Sequence, residues 1–135
     1  MKSTLQAGVT SSASYTVDRD RTIDFMGEKA RVYATPALVR DIEIACRELL
    51  LAHLDAGEDS VGTRVELDHL GATLMGMKVE LALTISEVKG RLVSFEFTGS
   101  DNVETICRGR HQRFVVDIAK TEERLAAKAH KAGLA

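Results

Sequence analysis

Between residues 36 and 54 the apolar side chains of this chain recur at helical spacing, and from residue 61 almost to residue 118 they recur at every second position. That single switch of period calls for one buried helix packed on an antiparallel sheet. Leu38, Ile42, Ala45, Leu49 and Ala52 form one stripe, and Cys46 and Leu50 widen it until much of the helix circumference is apolar. Such a helix is expected to be covered on several sides. Thr35 reads as its N-cap and Pro36 as its first helical residue, where the missing N–H costs nothing. Gly57 marks the stop.

The strands follow from period two. Tyr15 and Val17 suggest a strand over residues 11–18; the charged run Asp18–Arg21 and the aperiodic stretch Ile23–Lys29 read as a loop or a short helical turn. Val61, Thr63, Val65, Leu67 and His69 share one strand face, with Arg64, Glu66 and Asp68 on the other. Beyond Gly71–Gly76 come Val79, Leu81, Leu83 and Ile85, a turn at Lys89-Gly90, then Val93, Phe95 and Phe97. After a turn at Ser100–Asn102, a last strand runs from Val103 to Ile118. Its alternation slips near Gly109–Arg113, which predicts a bulge. Residues 1–10 are expected to be loosely ordered, and residues 119–135 to form a peripheral Ala-rich helix. The expectation is a single α+β domain over residues 1–135: a curled antiparallel sheet of about five strands, arranged as a meander, around one long helix. Open sheet edges favour a dimer.

Composition narrows the function. With 135 residues, 18 Lys+Arg against 20 Asp+Glu and 4% aromatics, the chain has neither the bulk charge nor the stacking surface of a nucleic-acid binder. No stretch is long and apolar enough to span a bilayer, and the first residues lack a secretory signal. Cys46 and Cys107, far apart, read as buried free thiols of a cytoplasmic protein. His53, His69, His111 and His130 have no paired spacing and no cysteine partners, so no metal site is expected. Gly71-x4-Gly76-Met77-Lys78 resembles a phosphate loop, but its Lys is displaced by one position and a strand follows it.

Three polar residues stand in unusual company. Glu43 lies on the helix beside Val39, Cys46 and Leu50, where a carboxylate is costly to bury without a partner. His69 ends an apolar strand face. Thr35 sits at a helix N-terminus, which concentrates positive potential suited to a developing oxyanion. A hydroxyl, a carboxylate and an imidazole make an acyl-transfer set. Taken singly, each also fits a bland role: a wet helix edge, a bonded core histidine, a plain cap.

Together with Tyr33-Ala34-Thr35, Ser60-Val61-Gly62-Thr63, His69-Leu70-Gly71-Ala72-Thr73, Val88–Arg91 and Gly109–Arg113, these residues resemble the fluoroacetyl-CoA thioesterase group of the hotdog superfamily over about residues 30–118. The resemblance implies a hotdog fold and hydrolysis of an acyl-CoA thioester without a cofactor. It also implies a homodimer or higher homo-oligomer with sites at the subunit interface. Thr35, Glu43 and His69 would be catalytic, and Gly62 would offer its backbone N–H to the thioester oxygen. Arg108, Arg110 and Arg113 are candidates for the phosphates of coenzyme A, against the alternative of a solvated strand face. The stretch Phe25–Lys29 lacks the aromatic pair of the fluoroacetyl-selective lid, so a short or medium acyl group is expected. Pro36 stands where the family often has glycine and has no N–H to give, leaving Ala37, Leu38 or Gly62 as donors. A non-catalytic acyl-CoA-binding module and a related hydratase are the alternatives.

Overall fold

The structure, a computed structural model, describes residues 1–134. In chain order it contains β1 (Thr10–Thr16), β2 (Thr22–Ile23), β3 (Val32–Tyr33), α1 (Thr35–Leu51), β4 (Glu58–His69), β5 (Lys78–Lys89), β6 (Leu92–Ser100), β7 (Thr105–Asp117) and α2 (Ile118–Lys131). One five-stranded antiparallel sheet has the order β1-β5-β6-β7-β4, and β2 and β3 form a separate small ribbon. Helix α1 buries Leu38, Ile42, Ala45, Cys46 and Leu50 against Val79, Leu81, Ile85, Val93, Phe95, Ile106 and Val115 of the sheet. Burial of that stripe is the main source of helix stability, because a helix of this length is marginal alone. Helix α2 is capped by Asp117, whose side chain accepts from the Lys120 N–H, and buries no residue. Leu5 joins the core, the Lys2 N–H donates to the His53 carbonyl, and the stretch before β1 therefore runs along the C-terminal end of α1.

Two expectations need correction. The meander holds for β5, β6 and β7, but β4 pairs with β7 and leaves its other side as a free edge of the sheet. The connection over residues 70–77 is not a hairpin. It is pinned to β3, just before α1, by the Tyr33 N–H donating to the Thr73 carbonyl and by a bridge between Val32 and Leu74. The irregularity expected near Gly109–Arg113 falls at Gln112–Arg113, but the extra residue, Thr63, belongs to the neighbouring strand β4. Cys107, His111, Arg113 and Val115 stay buried at alternate positions of β7, while the register slips between Gly62 and Arg64 in β4. Polar side chains at two inward positions of β7 interrupt its hydropathy without interrupting its geometry. The extra residue in β4 turns Val61 outward, to 45% exposure, whereas Val65, Leu67 and His69 lie half-buried. These residues therefore do not form one continuous face.

Candidate active site

Helix α1 starts earlier than its proline suggests. Ala34 is the N-cap residue and makes no side-chain cap bond, while Thr35 is already helical. The Thr35 hydroxyl is therefore free for another partner: its Oγ1 lies 2.7 Å from Nδ1 of His69, at the end of β4. This replaces the expected capping role. The ring of His69 packs edge-on to Tyr33, with centroids 6.4 Å apart. Its Nε2 is buried and has no hydrogen-bond partner. A buried imidazole nitrogen without a partner in the chain calls for an explanation. Burial lowers the His69 pKa from its ordinary 6.5, which favours the neutral ring.

Beneath this pair lies a polar network that the sequence reading missed. Tyr33 donates to Asp41 across 2.5 Å and its hydroxyl meets that of Tyr15 at 2.7 Å. Arg21 grips Asp41 through Nε at 2.9 Å and Nη2 at 3.2 Å, and its guanidinium lies 4.9 Å above the Tyr15 ring. The bidentate pair ties the segment before β2 to α1 and holds Tyr33 under His69. The aperiodic run Asp18–Arg21 thus carries structure through its charges rather than its hydropathy.

A second cluster forms around Glu43, two helical turns further along α1. Its side chain is 41% exposed, so it stands on the wetter edge of the helix, next to exposed Ile44. One carboxylate oxygen lies against Gly62; a Cβ at that glycine would stand 2.7 Å from Oε2. Behind it lies Arg113, 4% exposed, with Nη1 3.5 Å from Glu43 Oε2. Arg113 also donates through Nε to Ser60 Oγ at 2.8 Å and through Nη2 to the Ser60 carbonyl at 3.0 Å. Its Nη1 lies 3.1 Å from His111 Nε2. Burial pulls the guanidinium below its ordinary range, and Glu43 counters that effect.

The structure thus gathers the expected residues into two groups. Thr35 joins His69; Glu43 joins Gly62 and Arg113. Arg108 and Arg110 go to neither. Both are exposed on the opposite sheet face, lining shallow depressions with Glu66 and Glu96. Ser60 and His111 enter the second group unforeseen. Their signal was parity, since His111 shares the inward register of Cys107 and Arg113. Cys46 and Cys107 are buried free thiols, with pKa values pushed up by burial to about 12 and about 11. Neither is poised to act as a nucleophile.

The two groups are separated within one chain. Along α1, Thr35 and Glu43 are about 12 Å apart, at 1.5 Å of rise per residue. Along β4, Gly62 and His69 are roughly 23 Å apart.

Comparisons with known proteins give this arrangement a lineage. The family model for FlK, fluoroacetyl-CoA-specific thioesterase, matches residues 17–119. The fluoroacetyl-CoA thioesterase of Streptantibioticus cattleyicolor is 32% identical over 101 residues, covering 75% of this chain and 73% of that protein. A crystal structure of a mutant of FlK superposes with a TM-score of 0.86 at 27% identity, over 94% of this chain and 99% of that one. A hypothetical Thermus thermophilus protein described as a thioesterase superfamily member gives 0.88 at 25% identity, over 98% and 99%. The helix wrapped by a curled five-stranded sheet is therefore a hotdog fold, and the matched span contains Thr35, Glu43, Gly62, His69 and Arg113. By that match, the chain belongs to the fluoroacetyl-CoA-specific thioesterase family.

Proposed function

We propose that this protein is an acyl-CoA thioesterase that hydrolyses a short or medium acyl-CoA to the free acid and coenzyme A. The observation that carries the reading is the Thr35–His69 pair, which leaves a buried, unpartnered Nε2, taken together with a carboxylate held at the edge-strand glycine. With the Thr35 hydroxyl donating to Nδ1, the neutral ring carries its proton on Nε2 and can donate it to the thioester oxygen. Glu43 then either activates a water or attacks the carbonyl itself. In the first route hydroxide from water adds to the carbonyl carbon, the C–S bond breaks, and the thiolate leaves with a proton. In the second, Glu43 adds to the carbonyl carbon, the C–S bond breaks as the thiolate leaves with a proton, and water then hydrolyses the acyl–Glu43 anhydride to the free acid and the carboxylate. Gly62 supplies the second oxyanion donor, since Pro36 has no N–H. Arg113 supports Glu43 from behind.

The site is completed by a second copy of the chain. Because β4 is a free edge, another β4 can pair with it in antiparallel register. A twofold axis between Val65 and Glu66 would set Gly62 opposite His69 of the partner subunit, because the two lie equally far along the strand from that axis. Each Glu43–Gly62–Arg113 group then meets a Thr35–His69 pair from the other chain, giving two equivalent sites. Exposed Ile44 and Val61, beside Glu43 and Gly62, supply apolar surface for that contact. No helix among the described residues is long and apolar enough to cross a membrane, and the free thiols support a cytoplasmic location.

The test is release of free thiol from a panel of acyl-CoAs of increasing chain length. The reading expects turnover by the wild type and its loss in Glu43→Ala. Tight acyl-CoA binding without thiol release would make the protein a binding module. Wild-type rates in Glu43→Ala would remove the carboxylate from the chemistry.

A further inference from the structure

His111 is fully buried in the middle of β7, stacked on Phe95 with ring centroids 6.2 Å apart. Both of its nitrogens are engaged, and the partners fix which one holds the proton. Nδ1 lies 2.8 Å from the Arg64 carbonyl, at the bulge of β4, and a carbonyl can only accept. Nδ1 therefore carries hydrogen. Nε2 faces Arg113 Nη1 at 3.1 Å, and a guanidinium can only donate. Nε2 therefore offers a lone pair, and the ring is neutral.

The consequence falls on Arg113. Unrestrained, an arginine beside a carboxylate closes to a pair of hydrogen bonds of about 2.7–2.9 Å. Arg113 does not close. Nε and Nη2 are taken by Ser60, Nη1 is shared with His111, and a single contact of 3.5 Å reaches Glu43. A fully clamped carboxylate would be a poor base and a poor nucleophile. A carboxylate with no cation behind it would be poorly oriented. We propose that His111 is a positioning residue, which through Arg113 keeps Glu43 oriented yet unclamped for thioester cleavage. The inference rests on the thioesterase reading above. The groups facing His111 are Arg113 and Phe95 from the sheet, the Arg64 carbonyl from the bulge, and Glu43 from α1. Protonating Nε2 would set one donor against another and free Arg113 to close on Glu43.

The experiment compares His111→Leu, which removes both polar contacts, with His111→Gln, whose amide oxygen can restore the acceptor for Arg113. Thiol release and Tm are measured from pH 5 to 9. The expected result for His111→Leu is a loss in kcat of about tenfold or more with KM within about twofold, and an acid limb of kcat/KM moved to lower pH. His111→Gln should stay within about threefold of wild type. Equal rates in the two variants, or losses that follow Tm with an unmoved acid limb, would overturn the proposal. If His111→Leu does not fold, His111→Asn replaces it, because asparagine keeps a donor for Arg64 but falls short of Arg113. Nitrogen NMR of the wild-type histidines separates this proposal from the one beneath it. A neutral, Nδ1-protonated His111 at pH 7 is required even if the wild type releases no thiol. A cationic or Nε2-protonated ring would refute the positioning chain alone.

Discussion

Replacing Gly62 with alanine pushes on Glu43 with a known displacement. The new Cβ would stand 2.7 Å from Glu43 Oε2, whereas ordinary contact begins near 3.4 Å, so the carboxylate must retreat by about 0.7 Å. The next neighbours of that Cβ, His111 Cε1 at 3.3 Å and Arg113 Nη1 at 3.4 Å, are close to ordinary contact, so Glu43 takes most of the displacement. Gly62 has no positive φ, so alanine brings no backbone strain and reduces the freedom of the unfolded chain. The perturbation therefore falls on the reacting group. Since a misplacement of about 1 Å can cost about 100-fold, kcat should fall about 10- to 100-fold, equivalent to about 1.4–2.7 kcal/mol in the barrier. Tm should hold or rise slightly. Thiol-release kinetics and thermal unfolding of wild type, Gly62→Ala, Glu43→Ala and the double variant provide the assay. The double variant should be no slower than Glu43→Ala, because the only atom that had to move is gone. A wild-type kcat in Gly62→Ala would refute the reasoning. So would a loss of rate that Glu43→Ala fails to mask.

Other expectations are read from single measurements. Thr35→Val removes the hydroxyl at His69 Nδ1 while keeping the side-chain shape; kcat should drop about five- to tenfold with little change in Tm. Burial lowers the pKa of both His69 and His111 below 6.5, so the unfolded chain binds more protons just below that value. Their contribution to stability is complete above about pH 6.5 and is lost as pH falls toward the folded values. A urea midpoint that falls across that window in wild type, and falls less steeply in His69→Ala, would bear this out. Phe95→Ala empties the core beside His111 and should cost about 3–5 kcal/mol in chemical denaturation.

Much of this architecture could be read in advance because hydropathy reports burial directly. The helix, the alternation of β5 and β6 and the peripheral α2 all follow from which residues are apolar. What hydropathy does not report is a one-residue insertion. Thr63 carries no mark of a bulge, so Val61 and Val65 look like neighbours on one face although the chain turns over between them. Nor does it report polar groups inside the sheet. His111 and Arg113 read as an interruption of β7, yet they are its most informative inward residues, one holding the other beside Glu43. Parity along the strand also separates Arg113 from Arg108 and Arg110, which no count of basic residues does. Thr35, Glu43 and His69 were recognisable as a set by resemblance. Their division into two distant groups became visible only once β4 was seen as a free edge, paired on one side alone.

That division sets the decisive measurement. Glu43→Ala and His69→Ala chains, each inactive as a homodimer, are mixed in equal amounts under conditions that exchange subunits, and thiol release is assayed. If each site draws Glu43 from one chain and His69 from the other, a mixed dimer holds one intact site and one doubly crippled site. Random exchange then makes half the dimers mixed and restores about a quarter of wild-type activity per chain. If both residues serve the same chain's site, every site in every dimer lacks one group. A mixture no more active than its parents, with exchange verified, would contradict the account.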